Sequence, residues 1–164
     1  MTRDRVDQTI DELRATRTDL DAGASEIVLR LLLLGRGLEQ RISDSLAPFG
    51  LQVWEFDVLA ALRRQGHPHR LSCSDLARQV LITCSGMTHR VSRLDERGLV
   101  ARRRDAGDRR TVFVELTAAG LSLVDEAMTH RVADSQALLA DLGGVDMDQL
   151  LALLRRVNDA VGDG

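Results

Sequence analysis

Apolar residues recur at intervals of three and four along most of the chain, which is the period of an amphipathic helix. A first such segment covers residues 4–18, with Val6, Ile10 and Leu13 on its apolar side. A second runs from about Ser25 to Leu46, and its apolar stripe comprises Ile27, Leu31, Leu34, Leu38, Ile42 and Leu46. Residues 52–65 are apolar on most sides, which is typical of a buried helix. The pattern therefore predicts three helices in the first 65 residues.

The middle of the chain carries signals for two short helices followed by a hairpin. Ser72 and Asp75 have capping-box spacing, and Thr83 can cap a further helix over about 84–97, which Gly98 ends. The runs "LVARRR" and "RRTVFVELT" flank a "DAGD" turn. In the second run apolar and other residues alternate, as in a strand with one buried face: Val112, Phe113, Val114, Glu115 and Leu116. This order of elements predicts a winged helix-turn-helix.

Two further helices complete the predicted fold, which is mainly α with a small β-hairpin wing. Thr117 can cap a long helix that continues to about Leu142, where Gly143 and Gly144 interrupt it. Asp146 and Gln149 have the spacing of a cap for a last helix, which ends near Val161.

Charge is distributed unevenly along the chain. The 164 residues carry a formal charge of −3, yet the segment from Arg90 to Arg110 holds eight arginines against four acidic residues. A basic segment on an acidic chain indicates a localised contact with a polyanion. A solvated charged hairpin has the same composition, so charge alone leaves both interpretations open.

Several classes of protein and site are not favoured by the sequence. The apolar run "IVLRLLLLG" is about nine residues long and contains Arg30, whereas a membrane span needs roughly 20 residues. The charged N-terminus has no apolar signal segment, and two cysteines make no disulfide framework, so we expect a cytoplasmic protein. We find no phosphate-binding loop, nucleophile elbow or metal-ligand spacing, and we expect neither an enzyme nor a bound metal or cofactor.

The predicted helix over 84–97 has the two faces that a DNA-reading helix needs. Met87, Val91 and Leu94 form one stripe that would anchor it to a core. The remaining faces carry polar residues, namely Ser85, Thr88, His89, Ser92, Arg93 and Glu96. Short hydroxyl groups and an arginine suit base edges and phosphates in a major groove.

The segment "LSCSDLARQVLITCSGMTHRVSRLDERGLVARRRDAGDRRTVFVELTAAG" resembles the MarR family of bacterial transcription regulators. Two motifs are the most specific. They are the D-x-R of the wing, at Asp108 to Arg110, and the LT-x-x-G that opens the next helix, at Leu116 to Gly120. The resemblance covers nearly all of the chain from residue 25 onward. It implies a homodimer that binds a pseudo-palindromic operator in double-stranded DNA, most often as a repressor.

The resemblance also implies a division of the chain. Residues 1–22 would be an extra N-terminal helix. Residues 23–50 and 118–164 would form the helical dimerisation region, and residues 51–117 the winged helix-turn-helix domain. Arg110 matches the arginine that enters the minor groove, beside Asp108 and Arg109. The positions on the groove-facing helix are Ser85, Thr88, His89 and Arg93, and Arg103 and Arg104 would add phosphate contacts at the start of the wing.

The N-terminal extension resembles that of the subgroup that responds to urate and related purines. Asp57, Arg90 and Arg102 sit at positions matching that subgroup's ligand-binding residues, and Trp54 lies in the same helix as Asp57. Arginines can hold the charge of a purine anion or an aromatic acid while a carboxylate accepts ring N–H groups. The subgroup's tryptophan in the extra helix is missing, and Leu13 stands near its place. A structural ion pair between Asp57 and Arg90 is the alternative.

Cys84 offers a different signal for regulation. It follows the Thr83 cap in the first turn of the predicted groove-facing helix, where helix amides stabilise negative charge. Oxidation there would add bulk or charge at the DNA contact, so a redox-sensing regulator is a second hypothesis. A cysteine that merely replaces serine is the alternative. A helical protein-interaction module is a third class, although it would not need the basic wing.

Overall fold

The computed structural model describes residues 3–104 and 112–162. In these ranges the helices are α1 Arg5–Thr16, α2 Gly23–Leu46, α3 Val53–Arg63, α4 Cys73–Gln79, α5 Cys84–Glu96, α6 Ala118–Leu138 and α7 Gly144–Val161. The strands are β1 Arg70–Ser72, β2 Val100–Arg104 and β3 Val112–Leu116, and a 3-10 turn spans Ala47–Phe49. The chain forms two compact units, Met1–Trp54 and Glu55–Gly164. The mainly helical fold with a small sheet is thereby confirmed.

In the first unit, α1 packs against α2. Asp4 caps α1 in a capping box, accepting from the amides of Val6 and Asp7 while the Asp7 carboxylate accepts from the Asp4 amide. Val6, Ile10 and Ala22 are buried together, with Leu13 and Leu29 packed against them. The first predicted apolar stripe is therefore confirmed as the contact face of α1.

Arg30 of α2 connects these two helices through charge. Its guanidinium donates to Asp4 at 2.6 Å and to Glu26 at 3.1 Å, and it also contacts Asp7. The Asp7 amide and the Arg30 guanidinium hold the pKa of Asp4 below its usual value. The same carboxylates raise the pKa of Arg30 further above neutrality.

The second unit contains a three-stranded antiparallel sheet in the order β1-β3-β2. Val114 lies at its centre, opposite Leu71 on one side and Arg102 on the other. The sequence predicted only the β2–β3 hairpin. Strand β1 has only three residues, and its sequence shows no alternating pattern. It is a strand because its backbone pairs with β3.

The buried side chains of the second unit come from α3, α4, α5, the sheet and α6. They include Val58, Leu59, Leu62, Leu76, Met87, Val91, Leu94, Val100, Val114 and Val124. The contacting pairs of elements include α4 with α5 and α5 with β2. This core supports α5 from the side opposite to its polar residues.

The last two helices differ from their predicted bounds. Helix α6 ends at Leu138 rather than near Leu142, and α7 begins at Gly144 rather than after Asp146. Gly143 is the N-cap of α7 and provides no side-chain hydrogen bond, so the extended backbone alone starts this helix. Among the described residues, no helix is long and apolar enough to cross a membrane.

Candidate nucleic-acid interface

Helix α5 is fixed at its start by a side-chain cap and along its length by apolar contacts. The Thr83 hydroxyl accepts from the Gly86 amide at 3.2 Å, as the sequence predicted. Met87, Val91 and Leu94 are buried. The four residues predicted to face DNA, namely Ser85, Thr88, His89 and Arg93, are all exposed. The helix therefore presents a polar surface with hydroxyl, imidazole and guanidinium groups.

The end of α5 passes directly into the sheet. Gly98 adopts a left-handed conformation with φ +69°, a region that favours glycine. The Gly98 amide donates to the Asp95 carbonyl at 2.8 Å, and the Leu99 amide donates to the Leu94 carbonyl at 3.0 Å. These bonds form a Schellman motif that closes α5 after Glu96, and β2 begins four residues later at Val100.

A buried carboxylate holds the same end of α5. The side chain of Glu55 in α3 is only 3% exposed and lies 2.7 Å from an Arg97 guanidinium nitrogen at the C-cap of α5. A buried charge needs a partner, because desolvation otherwise opposes its ionised form. The Glu55–Arg97 pair therefore fixes the position of α5 relative to α3.

Arg102 joins the wing to α5. Its guanidinium contacts the Ser92 hydroxyl, donates to the Thr88 carbonyl at 3.4 Å, and lies 3.8 Å from the Asp95 carboxylate. These contacts come from three successive turns of α5, at Thr88, Ser92 and Asp95. Arg102 thus acts as a brace between β2 and the groove-facing helix.

The other basic residues at the start of the wing point to solvent. Arg103 and Arg104 are exposed, and the Arg103 guanidinium lies 4.0 Å from the Glu115 carboxylate of β3. At the opposite edge of the sheet, the Arg70 guanidinium carbon lies 4.9 Å from the centroid of the Phe113 ring. Asp108, Arg109 and Arg110 of the predicted wing motif lie outside the described residues.

The LT-x-x-G motif has a clear structural role. The Thr117 hydroxyl accepts from the Gly120 amide at 3.0 Å and donates to the Gly98 carbonyl at 2.7 Å. A Cβ atom on Gly120 would lie 1.9 Å from the Leu99 carbonyl oxygen. The motif therefore allows α6 to start in direct contact with the chain that links α5 to β2.

The residues predicted to bind an effector lie in different surroundings. Partial burial raises the pKa of Asp57, and the nearby charges of Arg90 and Arg64 oppose that rise. The Trp54 indole donates to the Gln52 side chain. Arg102 makes the contacts with α5 described above.

A cavity of about 370 Å³ lies between α4, α5 and the wing strands. Its wall consists of Ser72, Cys73, Ser74, Cys84, Thr88, Val91, Arg102, Val112 and Val114. Cys84 is exposed at the first position of α5, and Cys73 is partly buried at the first position of α4. Among the described residues, no group of three or more His, Cys, Asp and Glu side chains could hold a metal ion.

Sequence reasoning missed the Glu55–Arg97 pair and the shared cavity of the two cysteines. An acidic residue in the first turn of an apolar helix was the available signal for Glu55. Its partner, however, is 42 residues away in the chain, by the positions of the two residues. Nothing in the local spacing of Cys73 indicated that it would face α5.

Comparison with known proteins identifies the family. Residues 49–111 match the model described as "MarR family". The chain is 30% identical over 152 residues to the HTH-type transcriptional regulator PecS of Dickeya dadantii, covering 93% of this chain and 92% of PecS. It is 26% identical to the HTH-type transcriptional repressor YetL of Bacillus subtilis, covering 88% of this chain and 86% of YetL.

Solved structures agree in fold. AbsC, a MarR family transcriptional regulator from Streptomyces coelicolor, superimposes with a TM-score of 0.75 at 26% identity, over 87% of this chain and 97% of AbsC. A mutant MarR from E. coli, solved in complex with operator DNA, gives a TM-score of 0.70 at 20% identity. That match covers 83% of this chain and 96% of the mutant MarR chain. These relatives are transcription regulators rather than enzymes. The chain belongs to the MarR family of winged helix-turn-helix, DNA-binding transcription regulators.

Proposed function

We propose that this regulator is a repressor that binds a pseudo-palindromic operator as a homodimer and is released by a small effector. In this proposal α5 enters the major groove and the wing reaches the adjacent minor groove. The observation that carries it is the two-faced character of α5. The helix buries Met87, Val91 and Leu94, and it exposes Ser85, Thr88, His89 and Arg93.

Charge supports the same placement of DNA. Arg93, Arg103 and Arg104 are exposed on α5 and on the strand that follows it. Phosphate contacts from such residues position a protein on the duplex and make its affinity depend on salt. From the sequence motif we assign Arg110 to the minor groove and propose that Asp108 and Arg109 support it. A narrow minor groove concentrates negative potential and attracts arginine.

The homodimer is supported by apolar surface on the terminal helices. In α2 the exposed apolar side chains include Ile27, Val28, Leu32, Leu33 and Leu34. Helix α7 has no buried residue and exposes Val145, Leu150, Leu151, Leu153 and Leu154. Contiguous apolar surface of this kind marks a protein contact, and a second copy of the chain is the partner that we assign to it.

The DNA contact can be tested with an operator selected from a randomised duplex pool. Fluorescence anisotropy is expected to show binding whose log affinity falls linearly with log salt. Arg110→Ala should abolish or severely weaken this binding, and Arg93→Ala should reduce it. Arg14→Ala in α1 is the matched control that should leave it unchanged. Unaltered binding by Arg110→Ala, with the dimer intact, would rule out the assigned role of the wing.

For the effector we propose an organic anion, such as urate, a related purine or an aromatic acid. Support comes from Asp57 with the charges of Arg90 and Arg64 close to it, and from Arg102, which lines the cavity of about 370 Å³. That volume lies within the usual range of small-molecule sites. Thermal melting with urate, xanthine and salicylate tests the proposal, and Arg90→Ala and Arg102→Ala should lose the stabilisation. If neither purine shifts the melting temperature, the purine hypothesis fails.

Redox sensing by Cys84 is the second candidate, favoured by the exposure of this thiol at the first turn of α5. In that case peroxide would release the operator from the unmodified chain, whereas Cys84→Ser would keep it bound. An effector-responsive regulator would instead retain its ligand response in Cys84→Ser. The same variant therefore separates the two modes of regulation.

A further inference from the structure

The two cysteines of the chain, Cys73 and Cys84, line the same cavity. They open consecutive helices, Cys73 at the start of α4 and Cys84 at the start of α5. Both are free thiols. A cavity wall with two thiols differs chemically from one with a single thiol, because a ligand can take both sulfurs at once.

The Thr88 side chain contacts both cysteine residues. The Cys73 Sγ atom lies 3.9 Å from the Thr88 Oγ1 atom. The Thr88 hydroxyl in turn donates to the Cys84 carbonyl at 3.0 Å, one helical turn earlier. Side chains four residues apart on a helix have Cβ atoms about 6 Å apart. Cys73 therefore faces the side of α5 that carries Thr88 and Cys84.

The number of protein ligand atoms limits the class of molecule that this site can bind. Zinc sites take four protein ligands or three with a water, and the described residues group no three candidate side chains. A trivalent organoarsenical needs only two thiols. The bridging arsenic also holds the sulfurs farther apart than the roughly 2 Å of a disulfide. We infer that Cys73 and Cys84 form a two-thiol site for trivalent organoarsenicals, and that its occupation weakens DNA binding.

The reaction involves no change of oxidation state. With phenylarsine oxide, two S–H bonds and the arsenic–oxygen bond break, and two arsenic–sulfur bonds form. The two thiol protons and the oxygen leave together as one water molecule, and arsenic remains trivalent. The thiolate is the attacking form of each cysteine.

Occupation of the site links α4 to the first turn of α5. Cys84 is adjacent to Ser85, and Thr88 lies in the same cavity wall. Ser85 and Thr88 are two of the residues assigned to the DNA contact, so displacement of this turn would disturb that contact. This second half of the inference rests on the proposed function, whereas formation of the adduct does not.

Intact mass spectrometry under reducing conditions tests the site directly. The unmodified chain should gain one phenylarsenic unit minus two hydrogen atoms. The adduct should survive an excess of a monothiol and be removed by 2,3-dimercaptopropanol. Cys73→Ser and Cys84→Ser should each bind at least about 100-fold more weakly, because closing the second arsenic–sulfur bond is an intramolecular step.

Ser74→Ala is the matched control, since Ser74 lines the cavity without a thiol. It should bind the arsenical like the unmodified chain. Thermal melting checks that each serine variant is folded, and Cys73→Ala provides a second variant without the hydroxyl. The two-thiol site is overturned if either single variant keeps the affinity of the unmodified chain. It is also overturned if the unmodified chain takes up two arsenicals, one on each thiol.

DNA binding is measured separately by anisotropy on the same samples. The arsenical should lower the operator affinity of the unmodified chain at least about tenfold and leave that of Cys84→Ser unchanged. If the adduct forms but operator affinity stays the same, the regulatory half of the inference is wrong. If the untreated chain does not bind the operator, the proposed function fails, and the mass measurement still decides the site.

Discussion

At the scale of single residues, two acidic side chains of α3 have contrasting environments. Glu55 is 3% exposed and meets Arg97 at 2.7 Å, so its charge is compensated. Asp57 is two residues later, and burial raises its pKa despite the charges of Arg90 and Arg64. The first carboxylate holds α5 in place, whereas the second is the one that we propose as an acceptor for a ligand. Each environment leads to a measurable expectation.

Arg97→Ala should lower the free energy of unfolding by about 2 to 3 kcal/mol, because it leaves the buried Glu55 carboxylate without this partner. Urea unfolding monitored by circular dichroism measures the change. Arg63→Ala is the control, since the Arg63–Asp125 pair at 2.6 Å is partly exposed and should cost less than about 1 kcal/mol. Adding Glu55→Gln to Arg97→Ala should recover part of the loss. Equal losses for Arg97→Ala and Arg63→Ala would contradict the role of the pair.

Asp57→Asn should change how stability depends on pH. The folded-state pKa of Asp57 is raised, so the folded chain holds its proton more tightly than the unfolded chain does. The ionised carboxylate therefore lowers stability as pH rises from the unfolded pKa through the folded pKa. The neutral asparagine avoids this loss. Unfolding midpoints measured from about pH 3 to pH 7 should show the variant gaining on the unmodified chain as pH increases. A constant difference across that range would contradict the raised pKa.

At the scale of elements, helix starts were predictable and the third strand was not. Ser72, Thr83 and Thr117 each accept the hydrogen bond predicted from the sequence, because an N-cap depends on residues within one turn. Strand β1 depends on β3, which lies more than 40 residues later by the residue numbers. For the same reason the polar face of α5 was predicted from its periodicity, while the Glu55–Arg97 contact required the folded chain.

Gly120→Ala tests the contact between α6 and the end of α5. The added Cβ would lie 1.9 Å from the Leu99 carbonyl oxygen. Neither atom can rotate away from the other, because the main chain fixes the position of both. The junction must move, and we expect a loss of about 2 kcal/mol or more in unfolding free energy. Gly144→Ala at the start of α7 has open space around its Cβ and should not destabilise the chain. Urea unfolding of both variants provides the comparison.

Arg30→Ala should loosen α1 without affecting the wing. Arg30 of α2 pairs with Asp4 and Asp7 at the start of α1, so its removal takes two partly exposed ion pairs from α1. Hydrogen exchange of the α1 amides should accelerate a few-fold, whereas the α5 amides should keep their protection. Arg36→Ala in α2 is the control. The lowered pKa of Asp4 adds a pH dependence, because its stabilising contribution is present above the unfolded pKa and is lost as pH falls.

At the scale of the whole molecule, the proposed binding to a pseudo-palindrome requires two wings acting together. One winged domain reads one half-site, and a dimer gains avidity because the second contact is intramolecular. A single copy of the chain leaves α7 with no buried residue. We therefore expect the apolar face of α7 to be covered in the active form, which makes this helix the place to separate dimerisation from DNA contact.

Leu154→Asp should convert the dimer to a monomer, because a charge would be buried in an apolar contact. Analytical ultracentrifugation should show the change in mass, and operator affinity should fall by about 100-fold or more as avidity is lost. Gln149→Asp introduces the same charge five residues earlier, on a different side of the helix, and should leave both properties unchanged. A folded Leu154→Asp variant that remains dimeric would show that α7 does not form the interface. A monomer with full operator affinity would instead show that one wing suffices.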